Sequence, residues 1–193
     1  MNQLARDAAA DQPALIARRD FLKVGAGFSL ALTVAAALPG CGDAPKTPAQ
    51  GLTFLLPADV ELFSAIAPVV LLDLARRDSA QRQVLARQTI ANIDVTCAGL
   101  DLGSRGELRK LLDLLAIGPL RYALTGVGAW NGASAESLTA FLERWRGSRF
   151  ATLNAGGIIL VKLVAASYYV IPETFASTGY PGPYAPMFDA INS

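Results

Sequence analysis

Three neighbouring polar residues, Asp94, Asp101 and Arg105, are the candidates in this sequence for acid–base chemistry. Two carboxylates beside an arginine can move a proton and orient an anion. The sequence contains no histidine, which removes the commonest general base and the nucleophile pairs that depend on it. An acid-rich helix edge is usually a solvated face. We therefore predict that the chain is not an enzyme and that it binds no cofactor or metal itself.

Two cysteines, Cys41 and Cys97, offer the remaining reactive side chains. Residues 38–41 (Leu-Pro-Gly-Cys) resemble a bacterial lipobox, although Pro39 departs from the usual small residue there. We predict lipidation at Cys41, which leaves Cys97 as a buried, inert thiol. The alternative is cleavage after the Ala-Ala-Ala of residues 35–37, which would leave a soluble periplasmic protein and allow a disulfide between the two cysteines.

The segment before Cys41 has the pattern of an export signal. Its apolar run, residues 24–38, is shorter than the roughly 20 residues that a membrane-spanning helix needs. The polar residues before that run resemble the core of a twin-arginine (Tat) signal, which directs folded proteins to export: Arg18, Arg19, Phe21, Leu22 and Lys23. We predict that residues 1–40 are a Tat signal peptide and that the Tat translocon is a partner during export.

The mature chain has no charge bias. From Cys41 onwards it carries thirteen basic and thirteen acidic residues, so no basic field exists to attract nucleic acid. Residues 41–51 are rich in proline and polar residues, as expected of a tether that follows a lipid anchor. The export signal and the lipobox together predict a periplasmic protein held on a membrane. The length of the mature chain predicts one domain, over residues 52–171.

The apolar residues recur with helical spacing throughout that domain, which predicts an all-α fold, a small helical bundle. Pro68 should kink the first helix or restart it as a second one. The first expected helix begins at Pro57, and the second covers residues 79–97. A third begins at a capping box, residues 104–107, and ends at 117, and a short fourth covers 120–124. The last two cover 135–146, with Ser134 as the N-cap, and 150–170.

The last of these helices is apolar nearly all round, and Lys162 and its length argue against a membrane span. We predict a central core helix, in which Gly156 and Gly157 allow another helix or a partner to approach closely.

From Pro172 the composition changes, because prolines, glycines and aromatic residues replace the helical pattern over residues 172–193. We predict an extended tail that binds a partner, with an intramolecular strap across the bundle as the alternative. The candidate partner-binding residues are Tyr168, Tyr169, Gly179, Tyr180, Pro181, Gly182, Pro183, Tyr184 and Phe188.

Three short motifs carry a resemblance to a known family: Leu-Pro-Ala-Asp at 56–59, Ser-Tyr-Tyr at 167–169 and Gly-Tyr-Pro-Gly-Pro at 179–183. With the Tat signal, they make the chain similar to small accessory subunits of bacterial flavin dehydrogenases. These are the gluconate 2-dehydrogenase subunit 3 and the sorbitol/fructose dehydrogenase small-subunit families, whose large subunit is a flavoprotein of the glucose-methanol-choline (GMC) type.

The resemblance implies a non-catalytic subunit that co-exports, anchors and stabilises a large subunit, which carries FAD and oxidises an alcohol or sugar. The resemblance also makes a cytochrome c a candidate electron acceptor for the complex. The competing hypothesis is a free-standing periplasmic lipoprotein that binds a ligand or acts as a scaffold in the envelope.

Overall fold

The computed structural model describes residues 47–182. These residues form eight helices and no strand, which confirms the all-α prediction. A 3-10 turn at Pro172–Thr174 precedes the last helix. The helices are α1 (Pro57–Val70), α2 (Leu72–Arg76), α3 (Ser79–Ala98), α4 (Leu102–Ala116), α5 (Gly118–Thr125), α6 (Ala135–Arg146), α7 (Ala151–Tyr169) and α8 (Phe175–Thr178).

Pro68 divides the first helical segment as expected. It lies in the last turn of α1, where it supplies no backbone N–H, and α1 ends two residues later at Val70. The buried Leu71 joins this end to α2. The proline therefore ends one helix and the chain restarts as a second one.

Aspartates begin two of the helices. The Asp78 side chain accepts a hydrogen bond from the Gln81 N–H at 2.9 Å at the start of α3. Asp101 accepts one from the Ser104 N–H at 3.0 Å, so the predicted capping box at 104–107 is wrong: α4 begins two residues before Ser104, at Leu102. Ser134 caps α6 as predicted.

Helix α7 lies at the centre of the bundle and packs against α1, α3 and α6. By length and composition alone it is the one helix within residues 47–182 that could cross a membrane, with a mean hydropathy of 1.4. The core helix of a soluble protein passes the same test. Its contacts with three helices are those of a core helix.

The glycine pair of α7 permits the close approach of α6. A Cβ added at Gly156 would lie 2.9 Å from Cζ3 of the buried Trp145, and one at Gly157 would lie 3.2 Å from the Arg146 backbone nitrogen. Both distances are shorter than ordinary van der Waals contact. The glycines therefore serve packing between two helices of the same chain.

We expect Gly156→Ala to destabilise the protein by about 1–3 kcal/mol, because the added methyl group overpacks a site filled by the indole. The matched control is Gly106→Ala in the middle of α4, where an added Cβ meets no atom within 4 Å. That change should stabilise the helix by up to about 1 kcal/mol. Urea unfolding of both variants measures the difference, and a gain in stability for Gly156→Ala would contradict the packing.

The chain remains helical beyond the predicted bundle boundary at 171. Residues 172–178 form the 3-10 turn and α8, so the predicted extended tail does not begin at Pro172. Pro172 fits because it occupies the first position of a turn, where its missing N–H is not needed. Gly179, with φ at 72°, ends α8 in the left-handed region that glycine adopts readily.

Candidate functional site

The end of α7 is tied to α2 through one carboxylate. The Tyr168 hydroxyl donates to Asp73 Oδ2 at 2.5 Å, and the Arg77 guanidinium donates to the same oxygen at 2.9 Å. Burial raises the pKa of Asp73, but these hydrogen bonds outweigh it and hold the pKa below its ordinary value. The carboxylate is therefore ionised and joins two helices.

Tyr168 does not contribute a surface for a partner. Its side chain is fully buried. Burial raises the pKa of its phenol, and the hydrogen bond to Asp73 and the charge of that carboxylate raise it further. The prediction of Tyr168 as a partner contact is wrong, because its hydroxyl is used inside the bundle. Sequence reasoning also missed Asp73 and Arg77, although their i,i+4 spacing on a helix is typical of an ion pair.

The same region holds the segment after α7 in place. Arg77 donates to the Glu173 carbonyl at 3.4 Å, and the buried Thr174 hydroxyl donates to the Ile171 carbonyl at 2.7 Å. Ile171 is itself part of the core. Residues 171–178 therefore form a fixed end of the bundle.

Apolar side chains lie exposed directly before and after this fixed end in the chain. Tyr169 is 40% exposed and meets Tyr168 edge-to-face, with ring centroids 5.1 Å apart. Tyr180 is 48% exposed, and its ring packs edge-to-face on Phe175 at 5.1 Å. Val170 is exposed as well. We call Tyr169, Val170 and Tyr180 the C-terminal surface.

The remaining predicted residues divide into two groups. Gly179, Pro181 and Gly182 lie next to Tyr180, and Gly179 and Gly182 both have positive φ. The others lie outside the described residues: Pro183, Tyr184 and Phe188 in the tail, Arg18, Arg19, Phe21, Leu22 and Lys23 in the export signal, and Cys41 at the lipidation site.

At the start of the domain, Asp94 of α3 binds the residues that lead into α1, Thr53 to Leu55. Its Oδ1 accepts hydrogen bonds from the Phe54 and Leu55 N–H groups, both at 2.8 Å. Its Oδ2 accepts from the Thr53 N–H at 2.9 Å and the Thr53 hydroxyl at 2.8 Å. One buried carboxylate thus satisfies three successive backbone donors.

A second buried carboxylate, Asp59, holds the first turn of α1. It accepts from the Leu56 N–H at 2.7 Å and forms a two-pronged pair with Arg109, at 2.6 and 2.8 Å. Arg109 also binds Asp113 at 2.7 Å and lies over the Phe54 ring, 5.5 Å from its centroid. These contacts fix the Leu-Pro-Ala-Asp motif on α4.

The three candidates for acid–base chemistry each have a structural contact. Asp94 binds the approach to α1, Asp101 caps α4, and the Arg105 guanidinium donates to the Ala98 carbonyl at 3.3 Å. Cys97 is a free, fully buried thiol, as predicted, and burial raises its pKa to about 12. It is inert as a nucleophile at neutral pH.

Within residues 47–182, no group of three or more histidine, cysteine, aspartate or glutamate side chains could hold a metal ion. No protein-family model matches the chain, and no curated protein or solved structure is significantly similar to it.

Proposed function

We propose that the chain is a non-catalytic accessory subunit that captures a larger protein through its C-terminal surface. The observation that carries this proposal is a set of exposed apolar side chains on a part of the chain that is otherwise fixed. Tyr169 and Tyr180 each rest edge-to-face on another aromatic ring, and Asp73 ties the helices beneath them. Tyrosines are frequent energetic centres of protein interfaces.

The fixed position of these rings favours binding. A side chain that is already ordered before association loses less conformational entropy when a partner covers it. A tyrosine ring can bury about 150–250 Å² while its hydroxyl stays at the wet edge of the interface. The C-terminal surface is thus suited to a protein partner with an apolar patch.

The roles of the ionisable groups agree with a non-catalytic subunit. Asp94, Asp101 and Arg105 contribute to holding the chain in its fold, and the reactive form of Cys97 is disfavoured by burial. The chemistry of the complex then belongs to the partner.

For the partner we propose the large GMC-type flavoprotein that the sequence resemblance implies, with FAD bound there and not by this chain. The Tat signal at residues 1–40 supplies a reason for the association. A flavoprotein that folds around FAD before export can leave the cytoplasm only with a folded-protein signal, which this chain would supply. Lipidation at Cys41 would then anchor the complex to the periplasmic face of a membrane, with a cytochrome c as a candidate electron acceptor.

We expect the double variant Tyr169→Ser and Tyr180→Ser to capture the flavoprotein at least about tenfold more weakly than the wild-type chain. Loss of two anchor residues at a protein interface commonly costs more than the 1.4 kcal/mol that corresponds to a tenfold change. The measurement is a titration of the purified flavoprotein against each tagged chain.

The matched control is Tyr122→Ser, which removes a tyrosine that is 65% exposed on α5. It should leave the affinity within about twofold, because surface substitutions away from a hot spot have small effects. Equal affinity of the double variant and the control would place the contact elsewhere and would refute this role of the C-terminal surface.

A further inference from the structure

A second exposed region surrounds the end of α6, away from the C-terminal surface. Arg144 and Arg146 lie in the last turn of α6, and Arg149 follows in the short connection to α7. All three are exposed, and Glu143 is the one acidic residue within 143–150, so this stretch has a net charge of +2.

One aromatic side chain, that of Phe150, is exposed beside Arg149. Phe150 is 62% exposed, and the Arg149 guanidinium carbon lies 5.7 Å from the centroid of its ring. The Trp145 indole N–H and the Arg144 guanidinium donate to the Leu124 carbonyl at 3.0 and 3.5 Å. This contact joins the end of α6 to the last turn of α5.

We call Arg144, Arg146, Arg149 and Phe150 the basic rim.

Helix stability explains only part of this arrangement. Arginines in the last turn of a helix interact favourably with its negative end, which accounts for Arg144 and Arg146. Arg149 and Phe150 lie beyond the end of α6 and before α7, and the Phe150 ring is largely exposed to water and is not among the side chains packed against the core.

We propose that the basic rim binds an anionic lipid surface. Arginines attract acidic headgroups, and aromatic rings are favoured at the depth of those headgroups, where one edge of the ring is apolar and the other is wet. The long apolar part of an arginine side chain can lie along the acyl boundary while its guanidinium stays among the phosphates. An acidic protein would satisfy the same charges and would also cover the exposed ring, and the vesicle measurement below distinguishes that occupant from a lipid surface.

The position of the rim agrees with capture of a partner at the other end of the bundle. Phe150 immediately precedes α7, and Tyr169 is its last residue, so the two surfaces are separated by the 19 residues of that helix. At 1.5 Å per residue this is about 28 Å. A lipid surface at the basic rim would therefore leave the C-terminal surface accessible to a large subunit.

The inference does not depend on lipidation or on the flavoprotein. The Ala49 N–H donates to the Leu55 carbonyl, so the domain begins to hold the chain at this residue. The eight residues from Cys41 to Ala49 could still span roughly 26–29 Å, so an acyl anchor at Cys41 would not by itself decide which side of the bundle meets the membrane. Contact through the rim would set that orientation.

The test uses the mature chain, residues 41–193, with Cys41→Ser, so that neither acylation at this residue nor the apolar run at 24–38 contributes to binding. Its co-sedimentation is measured with vesicles of phosphatidylcholine alone and with vesicles that also contain phosphatidylglycerol. We expect binding to the anionic vesicles, weaker binding as salt is raised, and little binding to the neutral ones.

In that background, R146Q/R149Q should weaken binding to the anionic vesicles about tenfold or more, and Phe150→Ser should weaken it severalfold. The matched control is R76Q/R87Q, which removes the same charge from two exposed arginines of α2 and α3 and should change binding less than about twofold. Circular dichroism of each variant checks that the helices are retained.

Three results would overturn the proposal. The first is a lack of binding to the anionic vesicles, and the second is an equal loss for the rim and control variants. The third is loss of flavoprotein capture, in place of lipid binding, when the rim is changed, since the rim would then be part of a protein interface. Failure of any of these lipid assays leaves the capture measurement with Tyr169 and Tyr180 unaffected.

Discussion

Asp94→Asn is expected to lower the free energy of unfolding by about 3 kcal/mol, because it alters a buried acceptor on which four hydrogen bonds converge. An asparagine side chain has one acceptor oxygen, and its amide group would face N–H donors. That amide group would face either the N–H groups of the half-buried Phe54 and the buried Leu55 or that of the exposed Thr53, so at least one of them would lose its acceptor.

The local consequence is release of the segment that leads into α1. Hydrogen exchange at Thr53–Leu55 should rise more in this variant than exchange within α7, because the carboxylate holds these amides directly. The predicted tether joins the domain here, so the variant would also loosen the connection between anchor and bundle.

Asp94 should also contribute to the dependence of stability on pH. Burial raises its pKa, but the hydrogen bonds from Leu55, Thr53 and Phe54 lower it further, and the net pKa is below the ordinary value. A lowered pKa in the folded state means that the stabilisation is present at neutral pH and is lost as the pH falls through that value. The asparagine variant should therefore lose less stability on acidification than the wild type.

The matched control is Asp78→Asn at the start of α3. Asp78 also accepts a backbone hydrogen bond, from Gln81, but it is exposed, and asparagine is an equally good N-cap. We expect a change within about 0.5 kcal/mol. Chemical unfolding followed by circular dichroism compares the two variants, and similar values for both would contradict the role assigned to Asp94.

The helices and the core could be predicted because their determinants are local. Apolar spacing indicated the buried face of α6, and Ser134 indicated its start. The glycine pair Gly156 and Gly157 indicated a close approach on α7, and the structure identifies its partner as Trp145. Each of these inferences needs only the geometry of one helix and the size of its side chains.

The polar contacts could not be predicted in the same way, because they join residues far apart in the chain. Asp94 lies 41 residues from Thr53, and Tyr168 lies 95 residues from Asp73. Residue type alone made Asp94 a catalytic candidate and Tyr168 a candidate surface residue. The sequence does not show that Asp94 binds the backbone at Thr53 to Leu55, or that Tyr168 binds Asp73. The bundle must bring the helices together before such roles can be assigned.

Replacing Arg18 and Arg19 with lysines should abolish export almost completely, because we interpret this pair as the core of the Tat signal. The variant chain should accumulate in the cytoplasm, and the flavoprotein should remain there with it. Arg6→Lys, a change outside the pair, is the control and should leave export unchanged. Cell fractionation with detection of both proteins is the measurement, and normal periplasmic appearance of the double-lysine variant would contradict the Tat interpretation.

The most direct test is to purify a tagged copy of this chain from the envelope under mild conditions and to identify the proteins that co-purify with it. We expect a second, larger protein in stoichiometric amount, and we expect the eluate to show the visible absorbance of a flavin. Both the larger protein and the flavin signal should fall when Tyr169 and Tyr180 are changed to serine. A colourless eluate that contains this chain alone would contradict the proposal that it is the accessory subunit of a flavoprotein.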